Sequence, residues 1–178
     1  MATRTIPPLV LTDPTDDPEL YELLDGRWLK KESVGHIRHS RMCRILFDLL
    51  LPFCKRYGLA VEREWTVIRD GKKIIPDVTV SYPQPQPQEG YLVAPAFLAV
   101  ETKLPGQRLQ KLINKCLIDH HSMGTPYCWI LDIEEELGYE CHCETGKAIV
   151  VPVLTLGNCQ WPINLPVKTI FNAFAKAR

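Results

Sequence analysis

Nothing in this sequence is apolar for long enough to cross a bilayer, since no run approaches the roughly 18–20 residues a spanning helix needs. The first residues, Met1-Ala2-Thr3-Arg4-Thr5-Ile6-Pro7-Pro8, lack the apolar stretch of a signal peptide. The expectation is a cytoplasmic protein with no membrane partner. Net positive charge is missing too. Lys plus Arg is 21 and Asp plus Glu is 21, a formal net charge of zero. That argues against a chain that coats nucleic acid, which neutralises phosphates with clustered cations, but is compatible with a local basic groove. Spaced cysteine pairs are absent. Seven cysteines are scattered along the chain, and in the cytoplasm such thiols are reduced and mostly buried. The one tight group is Cys141-His142-Cys143. On a strand, Cys141 and Cys143 would share a face that His142 cannot, and no second pair completes a four-ligand zinc site. A zinc-binding interaction domain built on them has the least support of the readings kept open.

What is present is enough apolar material for one core. Hydrophobic residues make up 46% of 178, which suits a single folded domain. Residues 1–18, rich in Pro, Thr and Asp, read as an N-terminal arm, and 19–178 as the domain. Thr15-Asp16-Asp17-Pro18 is read as capping a short helix over Glu19–Leu24, after which Asp25-Gly26 turns the chain. From about His36 to Lys55 the residues Met42, Ile45, Leu46, Leu49, Leu50 and Phe53 form one helical stripe, with Pro52 expected to kink or end it and Gly58 to close it. A hairpin is expected next, running from Leu59 to Arg69, turning at Asp70-Gly71, and returning from Ile74 to Tyr82. Lys72 and Lys73 read as solvated turn residues, and Trp65 and Trp129 as core. The Pro/Gln run 83–90 reads as a surface loop without ladder bonds. Ala96–Lys103 has the form of a buried strand, residues 107–123 of a helix capped at Gly124, and Tyr127–Leu131 of a central strand. Strand, helix and strand in that order imply a parallel crossover. Two β-like stretches, 138–143 and 148–154, and a helix at 167–175 complete the pattern. The fold class is therefore α/β, an α+β mixed sheet flanked by helices.

Three charged residues stand among apolar neighbours: Asp77 in Ile74–Val80, and Glu101 and Lys103 at the end of Phe97–Lys103. A carboxylate in such a strand must be paired, metal-bound or at the strand's exposed end. Glu101 and Lys103, two apart, point to the same side, and Asp77 on the preceding hairpin is able to approach. Two carboxylates suit Mg²⁺, with Mn²⁺ as a substitute, because these ions take oxygen ligands; the backbone carbonyl of Thr102 is a further candidate ligand. Lys103 could then orient a water or neutralise developing charge. Phosphodiester hydrolysis is the chemistry this set serves. The plainer alternative is a surface ion pair of Glu101 with Lys103 and a turn-capping Asp77.

The chain resembles the putative restriction endonuclease family, a bacterial group with the PD-(D/E)XK nuclease fold. The resemblance runs from Tyr21 to Phe174. It rests on Tyr21-Glu22-Leu23-Leu24-Asp25-Gly26, His39, Pro76-Asp77-Val78, Pro95–Glu101, Gly124–Asp132 and Leu165-Pro166-Val167. It implies a restriction endonuclease-like fold, a metal-dependent DNA endonuclease as function, and DNA as partner. A homodimer is an expected arrangement, because cutting both strands calls for two active sites. Two departures stand out. Thr102-Lys103-Leu104-Pro105 replaces the family's usual stretch after the glutamate, which puts Lys103 at the lysine position of the wider superfamily. The following helix is also one residue longer before Gly124 than is usual. A family lysine in that helix corresponds to Lys111 or Lys115. Glu22 is an auxiliary candidate beside the metal, and His36 and His39 are candidates to touch phosphate. A non-catalytic binding or assembly module on the same fold is the alternative function.

Overall fold

The structure is a computed structural model that describes residues 21–31, 36–82, 92, 94–156 and 161–177. The expected arm 1–18 and the Pro/Gln loop 83–90 lie outside the described residues. A six-stranded mixed sheet carries the fold. Its strands are β3 (Ala60–Arg63), β6 (Val78–Ser81), β7 (Leu98–Lys103), β8 (Tyr127–Asp132), β9 (Leu137–His142) and β10 (Lys147–Val151), in the spatial order β10-β9-β8-β7-β6-β3. β7 and β8 are parallel and the other neighbours antiparallel. The expected crossover is therefore present, and Tyr127–Leu131 lies inside the sheet.

Period-two alternation divides the sheet into two faces. Leu98, Val100, Trp129 and Leu131 join Met42, Leu46 and Leu50 of α1 (Ile37–Tyr57) and Ile170 and Phe174 of α3 (Val167–Lys176) in the larger core. Ala99, Cys128, Ile130 and Cys141 face the other way, onto Cys116 and the helix that begins with α2 (Leu109–Asn114). Successive residues of β7 thus look toward opposite helices, and this decides the surroundings of Glu101 and Thr102. Cys141 belongs to the second core, while His142 is exposed. Among the described residues the Cys141-His142-Cys143 cluster forms no metal group.

Several expectations change. Tyr21–Leu24 is not a helix but a strand, β1, paired with β2 (Arg27–Lys30) across Asp25-Gly26. Both turn residues have positive φ, 47° and 73°, the backbone a two-residue hairpin turn demands, and this local signal overrides a helix nucleus too short to stand alone. Pro52 neither ends nor interrupts α1, which runs on to Tyr57. Pro52 and Asp48, whose carbonyl loses its bond, are both exposed, so water can replace it. Gly58 caps the helix in the left-handed region with φ 66°, as expected. The single hairpin becomes two pairings in two sheets. β4 (Val67–Arg69) and β5 (Lys72–Ile74) turn at Asp70-Gly71 within a small sheet of order β2-β1-β5-β4. β3 and β6 pair in the main sheet. Lys73 is buried against the Trp28 ring rather than solvated. β11 (Val153–Thr155) and β12 (Asn164–Pro166) form a third, two-stranded unit. No described helix is long and apolar enough to cross a membrane.

Candidate active site

The break between β5 and β6 builds the site. At Ile75-Pro76-Asp77 the chain leaves the small sheet and enters the large one. The Ile75 amide donates to Glu22 Oε1 at 2.9 Å and its carbonyl accepts from Lys31 Nζ at 2.8 Å. A buried peptide unit must find such partners, and here both come from the ends of the β1–β2 hairpin. Two residues on, the Asp77 amide donates to Val100 of β7 at 3.1 Å, which fixes the carboxylate over that strand.

Asp77 is 1% exposed. Its Oδ2 accepts from the Thr102 amide at 2.7 Å and the Thr102 hydroxyl at 2.6 Å. Its Oδ1 lies 2.8 Å from Lys31 Nζ and 2.9 Å from His39 Nε2, yet takes no hydrogen bond of proper alignment. Burial pushes the Asp77 carboxyl up, but Lys31 and His39 outweigh it and hold it well below the ordinary 3.8. Lys31 is the reciprocal case: burial pulls it down, and Asp77 and then Glu101 bring it above its usual value.

Glu101 projects to the opposite face of β7. Its Oε1 lies 2.9 Å from Lys115 Nζ and 2.8 Å from His120 Nε2. Lys115 also reaches Glu22 Oε1 at 2.9 Å. Burial and Asp77 push the Glu101 carboxyl up, while Lys115 and His120 push it down, and the balance lies below 4.5. Burial lowers Lys115, but Glu101 and Glu22 dominate and raise it beyond the usual ammonium range. Each half of the site therefore feels the other across β7.

The residues singled out from sequence do not all meet. Asp77, Glu101, Thr102, Glu22, His39 and Lys115 converge. Lys103 turns elsewhere, to Asp132 at 3.2 Å and Glu134 at 3.1 Å; burial lowers it, and those carboxylates raise it above its ordinary value. Lys111 is exposed on the rim. His36 is the N-cap of α1, its Nδ1 accepting from the Arg38 amide at 3.3 Å. Lys31 and His120 were missed. Lys31 follows Lys30 in an ordinary charged stretch, and nothing local separates it from surface lysines. His120 shares an apolar helical face, where a buried, satisfied histidine is the ordinary reading.

The donor set admits two kinds of ion. His39, Cys43 and Asp77 each offer one ligand atom, all within 4.8 Å of one another. Burial, then Asp77, pushes the Cys43 thiol far up, so without an ion this cysteine is a buried neutral thiol. Carboxylate oxygens suit a hard ion better. Asp77 and Glu101, two buried carboxylates lining one cleft, are the oxygen donors such an ion would take, so the residues present fit it, and an ion at Asp77 Oδ1 would share that oxygen with Lys31 and His39. Asp77, Glu101, Thr102 and Lys115 line a cleft of about 470 Å³ with Lys30 and Arg108 at its edge.

The profile of the family described as "Uma2: Putative restriction endonuclease" matches residues 10–158. A solved structure described as a putative nuclease belonging to DUF820 from Anabaena variabilis superimposes with a TM-score of 0.71 at 16% identity, covering 86% of this chain and 90% of that one. At that identity the likeness concerns the fold. No curated protein matches.

Proposed function

This chain belongs to the Uma2 family of putative restriction endonucleases, and from that premise we propose that it is a divalent-metal-dependent endonuclease acting on DNA. The observation that carries the reading is that Asp77, just before β6, and Glu101, on β7, are both buried and line one cleft. Asp77, Glu101 and the Thr102 carbonyl are the proposed ligands of Mg²⁺ or Mn²⁺, and Glu22 stands behind Lys115 as a further carboxylate. Bound there, the ion would lower the pKa of a water and offset charge on the phosphate.

The chain's own residues do the rest. Thr102 fixes Asp77 through two donors to Oδ2, and Oδ1, the oxygen proposed to serve a ligand, faces Lys31 and His39. Lys31 and His39 keep that carboxylate ionised, and Lys115 does so for Glu101. Asp77 and Glu101 are retained from the sequence reading. Lys115, not Lys103, is the lysine proposed to act beside the reacting phosphate, because it touches Glu101 while Lys103 is engaged by Asp132 and Glu134. Lys30 and Arg108 at the cleft edge are proposed to contact flanking phosphates. Such contacts position a duplex without reading its sequence, and a local basic rim is compatible with zero net charge.

The test is plasmid nicking by the purified protein across Mg²⁺, Mn²⁺ and chelator, paired with thermal melts. Metal should raise the melting temperature, because only the folded state assembles the ligands. Asp77→Ala and Glu101→Ala should lose both that gain and cleavage. A parent that neither binds metal nor cuts would favour the alternative, a nuclease-fold binding or assembly module.

A further inference from the structure

The helix after β7 changes its winding beside the site. Leu109–Asn114 is α-helical, Lys115–His120 is π-helical, and α-helical turns resume at His121 and Ser122. A π-turn is uncommon, and it recurs at functional sites. In an α-helix, residues five apart differ by roughly 140° around the axis, so Lys115 and His120 would face different directions. The i→i+5 bonding of a π-turn sets the fifth residue nearly over the first. Here both arrive at one atom, with Lys115 Nζ at 2.9 Å and His120 Nε2 at 2.8 Å from Glu101 Oε1.

His120 is 2% exposed. Its Nε2 lies 2.8 Å from Glu101 Oε1, and since an ionised carboxylate only accepts, the tautomer protonated at Nε2 is the one that would hold it. Two nitrogens on one oxygen fix the rotamer of a carboxylate within a buried strand. Lys115 is shared with Glu22, and the imidazole is the partner given to Glu101 by this helix besides that lysine.

We propose that His120 is a positioning residue. Delivered by the π-turn, it pins Glu101 through Oε1 and so leaves the other carboxylate oxygen for the divalent ion. This rests on the metal-dependent reading above and deepens it by assigning the group that orients one ligand. Partners that orient metal ligands typically contribute about 10–100-fold in affinity or activity.

The test compares His120→Gln with His120→Met in the full chain. The two side chains are close in size, and only glutamine can donate to Glu101. Mn²⁺ affinity is measured by the electron paramagnetic resonance of the free ion, cleavage as a function of Mn²⁺ concentration, and the metal-free melting temperature alongside. His120→Met should weaken Mn²⁺ binding by about 10–100-fold and move the metal-dependence curve by the same factor, with the rate at saturating Mn²⁺ largely kept. His120→Gln should recover most of the affinity. A purely structural role would lower the metal-free melting temperature in both variants and leave their affinities alike. Equal affinity of His120→Met and parent, or no recovery in His120→Gln, overturns the assignment while leaving the nuclease reading intact. A parent that binds no Mn²⁺ and cuts no DNA overturns both.

Discussion

Replacing Lys115 by methionine isolates the charge that holds the site together. Methionine keeps an unbranched apolar stem, so little packing is lost. What goes is an ammonium 2.9 Å from both Glu22 and Glu101. Counting carboxylates and ammonium groups alone, Glu22, Asp77 and Glu101 against Lys31 and Lys115, the charge falls from −3 + 2 = −1 to −3 + 1 = −2. At an effective dielectric of about 20, one such contact is worth roughly 6 kcal/mol, and desolvation of the ammonium takes several back. A ceiling also applies, because a stripped carboxylate can take a proton instead. For a carboxyl with an ordinary value of 4.5, protonation costs ~4 kcal/mol at about pH 7.5 and ~1.4 kcal/mol at about pH 5.5. Loss of one partner of a buried pair costs about 3–5 kcal/mol, so Lys115→Met should lose about that much near pH 7.5 and markedly less near pH 5.5. The sign follows from the two proteins. In the parent, Glu101 has a lowered value and its stabilisation is complete above 4.5. Without Lys115, burial and Asp77 should push its value up, and stability should then fall as pH climbs from the ordinary 4.5 through that raised value. Urea denaturation followed by tryptophan fluorescence at both pH values measures this. The melting temperature at the higher pH should fall by about 6–20 °C, at roughly 2–4 °C per kcal/mol for a chain of this size. A loss below about 1 kcal/mol, or one equal at the two pH values, would refute the claim that Lys115 compensates these carboxylates.

Asp77→Asn removes a carboxyl held below 3.8 by Lys31 and His39; that stabilisation is complete above the ordinary value and lost as pH falls through the native one, so the variant's acid-unfolding limb should be shallower below about pH 4. An acid limb identical to the parent's would contradict it. Gly138→Ala places a Cβ 2.6 Å from Val167 Cγ2 and should cost about 1–3 kcal/mol by overpacking, partly regained with Val167→Ala; an unchanged melt would show that β9 and α3 are not in such close contact. Single-turnover cleavage should slow by about 10²–10⁴ in Lys115→Met, as for loss of one positioned proton-transfer group, while Lys103→Met retains most of the rate. The reverse order would return the role to Lys103.

How much of this was legible depends on the range of the signal. Local patterns carried far: the α1 stripe, the Gly58 cap, the Asp70-Gly71 turn and the apolar strands 98–103 and 127–131 each rest on spacing or on a residue with one conformational role. The residues Asp77 and Glu101 were also legible, because a carboxylate inside an apolar strand has to be explained by a partner or an ion. The helical pattern before Gly124 was visible, but not the π-turn over Lys115–His120.

What surrounds the carboxylates was decided only by tertiary structure. Lys103 was assigned by its two-residue step from Glu101, which fixes the side of the strand but not the neighbour, and Asp132 directly opposite on β8 captured it. The choice between Lys111 and Lys115 turned on which residue of a rewound helix faces Glu101. Glu22 and Lys31 reach the site because Tyr21–Lys30 is a hairpin rather than a helix, and the bonds they make to Ile75 link positions 53 and 44 residues apart. Sequence determines which residues are costly to bury alone; the fold, by pairing strands distant along the chain, determines which partners offset that cost.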